Sequence, residues 1–324
     1  MILETKRLLL RPWEEADAEE CYKYAKDPLV GPSCGWVPHT SVKVSKVIIK
    51  NVLSVPETYA IIWKETNLPI GNIVLKMGTD TDLTEEEDEC ELGYWLGVPY
   101  WGKGIMPEAA KELIRHGFED LGMKKIWCAY YDGNEKSKRV QEKCGFQYQW
   151  TTHDVEVPLL QEKRTGHVNC LTKKEWDRRK QQELGAHLLE SCDTLQLGII
   201  DENGFPMIYP MEKVTSVAID KVLFITKKDS DKGKAIGKCE KSCIECYTDE
   251  TILWLLGKIE IIKDFEIIKS LLPEKYWERL MKHENYRDYC VLLFKTGTAK
   301  IYENGKKYVI KELDSDIPDG RNLL

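Results

Sequence analysis

The feature that most limits how this sequence can fold is a glycine-bearing turn between a strand-like segment and an amphipathic helix. Residues 91–97 have strand character, and the turn that follows is Trp101-Gly102-Lys103-Gly104-Ile105-Met106. The pattern predicts a helix from Pro107, whose missing N–H costs nothing there, to Gly122. Such a turn aims free backbone N–H groups at one point and suits a pyrophosphate, although an ordinary strand–turn–helix connection explains the same glycines.

A second strand and a short helix follow this turn. Residues 125–131 have the pattern of a strand, Asn134 is placed to cap a helix, and Gly145 is placed to end it. Phe146 then opens a further strand. The order of these segments predicts an α+β first domain, with a sheet flanked by helices.

The pattern changes near residue 185, beyond which strand signals dominate. Asp201-Glu202-Asn203-Gly204 and Glu303-Asn304-Gly305-Lys306 are predicted hairpin turns, because Asn-Gly supplies the positive φ that they need. The predicted strands are 195–200, 207–211, 222–226, 252–262, 289–294 and 299–302. We therefore expect two domains, 1–184 and 185–324, the second a small and mostly antiparallel barrel.

Length and composition support this division and exclude some classes of function. The chain has 324 residues, more than the roughly 250–300 that a single core organises. The net charge of −7 argues against binding nucleic acid through bulk electrostatics. No apolar run reaches the roughly 20 residues of a membrane span. The 11 cysteines, without an export signal, indicate reduced thiols and a cytoplasmic protein.

Together, the segments of the first domain resemble the GNAT superfamily of acyl-CoA N-acyltransferases, specifically its branch that acetylates ribosomal-protein N-termini. The segments 3–11 and 171–176 resemble the two ends of that branch. The resemblance implies that acetyl-CoA is the acetyl donor. It also implies direct attack on the thioester by an amine, which would be a protein N-terminus or a small molecule.

The resemblance also assigns residues to acetyl-CoA. The pyrophosphate would be held by the backbone of Gly102, Lys103, Gly104, Ile105 and Met106. The strand Trp95-Leu96-Gly97 would pair with the pantetheine amides, and Asn134 would hydrogen-bond the same arm of the cofactor. Two positions depart from the family pattern. Trp101 stands where many relatives have Gln or Arg, and Met106 stands where Gly or Ala is commoner, so its side chain would narrow the cradle.

Two residues are candidates for the chemistry. A neutral amine must attack, and lysine amines have a pKa of ~10.4 against ~7.7–8.0 for α-amines, so lysine-like substrates most need a base. By resemblance Glu91 would be this base; alternatively it belongs to the solvated acidic run 85–89. Gln141 replaces the tyrosine that many members use as the acid. Ser137, three residues after Asn134, matches a serine that steadies the thiolate in the ribosomal branch, or is an ordinary helix-surface serine.

The acceptor is only weakly indicated by the sequence. The acidic loop 80–91 would attract a cationic amine or a basic peptide. A solvated surface loop accounts for the same charges.

The second domain contains hydroxyls and a cation suited to a terminal phosphate. Thr226 ends a predicted strand, and Ser230 and Lys232 begin a predicted helix; a capping serine and a surface lysine are the alternative. In order and spacing, these segments resemble the FMN-binding split barrels of the pyridoxamine 5′-phosphate oxidase superfamily, especially the general-stress-protein branch. The resemblance implies FMN phosphate at these three residues, a flavin ring against the strand containing Met211, and a homodimer. Asp231 stands where the oxidase has a second cation, and its negative charge would weaken phosphate binding through repulsion.

We do not expect this chain to oxidise pyridoxal-type vitamin substrates, because the Trp and Arg that the oxidase uses to recognise them have no counterpart near the C-terminus. Cys239, Cys243 and Cys246 lie close in sequence, but a fourth ligand is missing nearby, so no metal is expected.

The leading interpretation is an N-acetyltransferase fused to a flavin-type barrel. The alternatives are a catalytically weak protein that senses or stores flavin or acyl-CoA, and a flavin-dependent reductase. Flavin colour and thiol release from acetyl-CoA distinguish them.

Overall fold

The computed structural model describes residues 1–311 and Leu313, and the chain divides into two compact units, Met1–Trp176 and Asp177–Leu324. One helix, Lys173–Ser191, runs across this division and contains the predicted domain boundary at residue 185. Among the described residues, no helix is long and apolar enough to cross a membrane.

The first unit is built on a mixed sheet. In chain order its described strands are β1 (Leu3–Glu4), β2 (Leu8–Arg11), β3 (Thr58–Trp63), β4 (Leu68–Lys76), β5 (Glu89–Leu96), β6 (Lys125–Tyr131), β7 (Gln147–Val157) and β8 (Glu162–Thr172). Their spatial order is β1-β2-β3-β4-β5-β6-β8-β7. Strands β5 and β6 run parallel, whereas the other neighbouring pairs are antiparallel.

Helices cover this sheet. They are α1 (Ala18–Ala25), α2 (Val42–Ile48), α3 (Ile105–Arg115) and α4 (Glu135–Cys144), and α5 (Lys173–Ser191) continues into the second unit. Helix α3 begins two residues earlier than predicted, so Pro107 is its third residue. Proline is tolerated there because the first four N–H groups of a helix have no intrahelical acceptor.

The parallel pair β5–β6 separates along its length. The two strands are paired from Glu89 with Lys125 to Glu91 with Trp127. Beyond that point β5 remains paired with β4 as far as Leu96, while β6 remains paired with β8 as far as Tyr131. A gap therefore opens between β5 and β6, and the edge of β5 that faces it is free of a neighbouring strand.

The second unit is an antiparallel barrel. Its described strands are β9 (Thr194–Ile200), β10 (Pro206–Val217), β11 (Lys221–Lys227), β12 (Lys241–Tyr247), β13 (Thr251–Ile262), β14 (Tyr289–Glu303) and β15 (Lys306–Lys311). Their order is β11-β10-β9-β12-β13-β14-β15, and pairing of β11 with β14 closes a barrel of six strands. Three helices accompany it: α6 (Asp231–Ile236), α7 (Phe265–Leu271) and α8 (Glu274–Met281). The predicted α+β fold class, with a sheet-and-helix part followed by an antiparallel barrel, is confirmed.

Both predicted hairpin turns are confirmed, with Gly204 at a φ of 86° and Gly305 at 75°. The prediction of separate strands 289–294 and 299–302 is wrong, because β14 is continuous through both. The break in the apolar pattern between them is a bulge, where the register shifts opposite Leu256 and Gly257. A bulge interrupts the alternation of side chains without ending the strand.

Candidate functional site

A large cleft lies in the first unit at the gap between β5 and β6. Its volume is about 1940 Å³, and every residue that lines it belongs to this unit. The lining comes mainly from segments 28–40, 91–96, 100–107 and 128–143. The predicted cofactor turn, Glu91, Asn134 and Ser137 thus meet at one cleft.

The glycine turn presents a row of backbone N–H groups at the start of α3. Gly102 and Gly104 have φ values of 74° and 71°, a left-handed conformation that L side chains rarely adopt. Within the described chain, the N–H groups of Gly102, Lys103 and Gly104 have no hydrogen-bond acceptor. Those of Ile105 and Met106 lie in the first turn of α3, where no intrahelical acceptor exists. Five consecutive donors at the positive end of a helix form a suitable site for a diphosphate.

The first turn of α3 is fixed by the segment that connects β1 and β2. The Glu108 carboxylate accepts hydrogen bonds from the Thr5 hydroxyl at 2.6 Å, from the Arg7 backbone N–H at 2.8 Å and from Arg7 Nε at 2.6 Å. The Arg7 guanidinium also donates to the carbonyl of Lys103 at 3.1 Å. Burial raises the pKa of Glu108, but the hydrogen bonds from Thr5 and Arg7 outweigh this, and the pKa of the carboxyl is lowered.

The cofactor strand offers its backbone rather than its side chains. Trp95 and Leu96 are 8% and 7% exposed, so their side chains belong to the core. The Leu96 carbonyl accepts the Trp101 indole N–H at 2.7 Å, and the Gly97 N–H donates to the Ile70 carbonyl at 2.8 Å. The indole of Trp101, a residue that departs from the family pattern, therefore occupies the Leu96 carbonyl. This carbonyl is one acceptor of the strand that was expected to pair with pantetheine.

Asn134 caps α4 as predicted, and the cap uses part of its side chain. Its Oδ1 accepts the backbone N–H of Ser137 at 3.1 Å, and its Nδ2 donates to the carbonyl of Ser33 at 3.3 Å. An amide nitrogen carries two hydrogens, so one remains for a ligand.

Ser137 lies at the centre of a chain of partly buried hydrogen bonds. Its Oγ is 2.9 Å from the hydroxyl of Tyr94 and accepts from Nε2 of Gln141 at 3.2 Å. The Gln141 Oε1 accepts from the Asn169 amide at 2.6 Å, which fixes the orientation of the Gln141 amide. A serine hydroxyl accepts two hydrogen bonds and donates one. Gln141 donates to Ser137 Oγ, whereas either hydroxyl can donate in the contact between Tyr94 and Ser137, so the Ser137 hydrogen is free for the cleft when Tyr94 is the donor.

Burial raises the pKa of the Tyr94 phenol well above its ordinary value, and the neighbouring Cys128 thiol raises it further. Tyr94 is therefore a neutral hydrogen-bond donor at physiological pH. Its hydroxyl is also 3.3 Å from the Ser137 carbonyl. Tyr94 thus supplies a phenol to the cleft from β5. In many members of the family the phenol comes from the helix, at the position that Gln141 occupies here.

Glu91 also lines the cleft, on the other face of β5. Its carboxylate accepts a hydrogen bond from the Lys76 ammonium at 2.8 Å and from the Thr81 hydroxyl at 2.7 Å. The side chain is 14% exposed. Because neighbouring strand positions point to opposite faces, Glu91 and Tyr94 approach the gap from its two sides.

Three residues of this site were not predicted from the sequence: Tyr94, Lys76 and Asn169. The alternation in β5 places Tyr94 on the same face as Leu92 and Leu96, and this pattern could have drawn attention to a polar group among buried neighbours. Asn169 is 28 positions from Gln141 in sequence. A contact of that kind depends on the pairing of β6 with β8 and has no local signal.

In the barrel, the residues assigned to FMN phosphate lie together but already have partners. The hydroxyls of Thr226 and Ser230 are 3.4 Å apart. Ser230 Oγ donates to the Lys227 carbonyl at 2.7 Å and accepts the Gly233 N–H at 3.2 Å, as a helix cap does. The Lys232 ammonium lies 5.3 Å from the centre of the Tyr209 ring.

Met211 is 5% exposed and packs in the barrel interior. Contact between a flavin and the strand at this position would therefore involve the backbone. Among the described residues no group of three or more His, Cys, Asp or Glu is arranged to hold a metal, and the cysteines, all of which lie in that part, are unbridged.

Comparisons with known proteins agree with this geometry. A family described as the acetyltransferase (GNAT) domain matches residues 7–147. The uncharacterized N-acetyltransferase p20 of Bacillus licheniformis is 33% identical over 159 residues, which are 48% of this chain and 86% of the relative. YdaF of Bacillus subtilis, named provisionally as a ribosomal N-acetyltransferase, is 37% identical over 65 residues, 20% of this chain and 36% of that protein.

A solved structure similar to this chain is a protein related to general stress protein 26, of the pyridoxinephosphate oxidase family, from Clostridium acetobutylicum. It is 24% identical, with a TM-score of 0.37, and the similarity covers 41% of this chain and 94% of that one.

Proposed function

The chain belongs to the GNAT family of N-acetyltransferases, and from this premise we propose that the cleft of its first unit transfers the acetyl group of acetyl-CoA directly to an amine. The observation that carries the proposal is the run of five consecutive N–H groups, from Gly102 to Met106, that have no acceptor in the described chain and lie beside the gap between β5 and β6. The N–H groups are suited to a diphosphate, and the gap is suited to an extended thioester arm. An acceptor in the same cleft would meet the thioester at the gap.

The residues around the cleft support defined roles for the donor. The backbone of residues 102–106 would bind the pyrophosphate, and the remaining hydrogen of the Asn134 amide would bind the pantetheine arm. The fixed contact between Arg7 and Glu108 keeps the turn in place without occupying it. Preorganised donors cost little reorganisation when the anion binds.

The transfer step follows from the hydrogen bonds at Ser137. The neutral amine attacks the thioester carbonyl, a C–N bond forms and the C–S bond breaks. The Ser137 hydroxyl, oriented by Gln141 and backed by the Tyr94 phenol, donates to the departing sulfur. The proton released by the amine passes to Glu91 or to solvent. The Lys76 and Thr81 contacts hold the Glu91 carboxylate at the cleft wall.

The test is release of coenzyme A thiol from acetyl-CoA in the presence of an amine panel that includes peptide N-termini, lysine-type amines and small amines. We expect thiol release that depends on both substrates and an acetylated amine in stoichiometric amount. Binding of acetyl-CoA without turnover on any amine would favour a storage or sensing protein instead.

We also propose that the barrel binds FMN and that it dimerises. Support for FMN comes from the grouping of Thr226, Ser230 and Lys232 at the end of β11 and the start of α6, although the Ser230 hydroxyl is already used. Flavin absorbance in the purified protein, its loss in Lys232→Ala, and sedimentation as a dimer test these points. A colourless monomer that binds no added FMN would exclude both.

A further inference from the structure

Large apolar side chains are exposed around the mouth of the cleft. The most exposed of them that line it are Leu29, Val37, Val52, Val55, Trp150 and Leu159. Leu159 is 64% exposed and Leu29 is 58% exposed. We call these six residues the apolar rim. None of them belongs to the segments 95–97, 102–106 or 134–137, which carry the residues assigned to acetyl-CoA.

The part of the rim on the loop 28–40 is held in position by hydrogen bonds from β8 and from the residue that caps α4. The Arg164 guanidinium donates to the Pro32 carbonyl at 2.6 Å, and the Asn134 amide donates to the Ser33 carbonyl. These contacts fix the loop 28–40, which contributes Leu29 and Val37. The exposure of its side chains is therefore a feature of a fixed loop, and exposed apolar side chains around one cleft typically mark a binding site.

Two charges on the lining of the cleft that have no ion pair within the described chain are negative. Asp80 and Asp82 line the cleft and make no ion pair with any residue that the structure describes. The cations of this part of the lining are already matched, since Lys76 pairs with Glu91 and Arg164 pairs with Glu162. The lysines and arginines that line the cleft without an ion pair in the described part of the chain are Lys136, Arg139 and Lys143, and all three lie on α4, to which no rim residue belongs. The rim itself contributes no cation for a carboxylate and is complementary to an ammonium group.

We infer that the acceptor is a small primary amine attached to an apolar alkyl or aryl group, with no carboxylate beside the amine. This inference rests on the proposed transferase function and names its substrate class. Apolar contact along the rim binds the body of the molecule, and the two aspartates attract its cationic form to the mouth. Free α-amino acids carry a carboxylate for which the rim has no cation, and basic peptides lack the apolar body.

Matched pairs of substrates test the inference with the full-length chain. Phenethylamine is compared with phenylalanine, tryptamine with tryptophan, and n-alkylamines of increasing length with spermidine and with a lysine-rich peptide. We expect kcat/KM to rise about two- to fourfold for each methylene along the alkyl series. Each decarboxylated amine should exceed its parent amino acid by at least about tenfold.

Substitutions on the rim, compared with one at an exposed apolar residue outside the cleft, test whether the rim binds the amine. Leu159→Ser and Val37→Ser should flatten the dependence on chain length and leave the KM for acetyl-CoA unchanged. Leu68→Ser is the control, because Leu68 is 41% exposed on β4 but does not line the cleft. Asp82→Asn should raise the KM for the amine at low salt, and the difference should fade as salt increases.

The outcomes distinguish this inference from the proposed function. If acetyl-CoA is turned over but peptides or spermidine react best, or chain length has no effect, the inference is wrong and the transferase function stands. If no amine releases thiol, the transferase function itself is wrong.

Discussion

The phenol oxygen of Tyr94 on strand β5 lies 2.9 Å from the hydroxyl oxygen of Ser137 on helix α4. Gln141 stands where many members of the family have a tyrosine on the helix, and its amide donates to the same serine. The site therefore retains a phenol, delivered from the strand and acting through the serine. This arrangement fixes the position of the serine oxygen at the wall of the cleft.

Ser137→Ala should lower kcat by about a hundredfold, because it removes the donor to the departing sulfur. Tyr94→Phe should lower kcat by about tenfold, since the phenol acts through Ser137. Both variants should leave the KM for acetyl-CoA unchanged. Steady-state thiol release measures these values. The control is Tyr59→Phe, which removes a buried phenol bonded to Glu57 away from the cleft lining; equal losses in all three variants would contradict the role of Ser137.

Glu91→Gln should lower the rate more for lysine-type amines than for α-amines. The amine must lose a proton to react, and the ordinary pKa values of ~10.4 and ~7.7–8.0 make this step harder for the lysine type. We expect a loss of at least about tenfold for the former at pH 7, with a smaller loss for the latter. Rates across pH with both amines provide the measurement. An equal loss for both would show that Glu91 only holds Lys76 in place.

Acid should weaken the anchor at the start of α3. The pKa of Glu108 is lowered in the folded protein, so its contribution to the free energy of unfolding is complete above its ordinary pKa of 4.5. The contribution disappears as the pH falls from that value through the lower pKa of the folded state. We expect Glu108→Gln to cost about 1–3 kcal/mol near neutral pH. Urea unfolding of both proteins from pH 7 to pH 3 should give curves that converge in acid; a constant difference would contradict this.

A stability test applies to the barrel bulge. A Cβ at Gly257 would lie 1.9 Å from the Lys295 carbonyl oxygen, whereas one at Gly297 would lie 3.7 Å from the Leu256 carbonyl oxygen. Gly257→Ala should therefore destabilise the barrel by more than about 2 kcal/mol, and Gly297→Ala by less than about 1 kcal/mol. Urea unfolding followed by hydrogen exchange in β13 and β14 measures both, and equal effects would contradict the geometry of the bulge.

Local signals in the sequence predicted much of this molecule. Glycines at positive φ, such as Gly204 and Gly305, and the cap at Asn134 depend on a few neighbouring residues, so the hairpins and the start of α4 were predictable. The apolar faces of the helices and the alternation in the strands gave the fold class for the same reason.

Contacts between distant segments had no such signal. The triad of Glu108, Thr5 and Arg7 joins residues about a hundred positions apart, and the hydrogen bond of Trp101 to the Leu96 carbonyl depends on how the turn folds back. The start of α3 at Ile105 was missed because Pro107 is acceptable at several positions of a first helical turn. The apolar rim comes from separate loops and appears only when they are assembled.

The central claim is that the backbone N–H groups of residues 102–106 hold the diphosphate of acetyl-CoA, and hydrogen–deuterium exchange with and without coenzyme A tests it most directly. We expect coenzyme A to slow exchange in the peptides that cover residues 101–108 and 134–138, and to leave the β10–β11 hairpin of the barrel unchanged. If coenzyme A does not bind, or binds while exchange in residues 101–108 stays the same, the assignment of this turn is wrong.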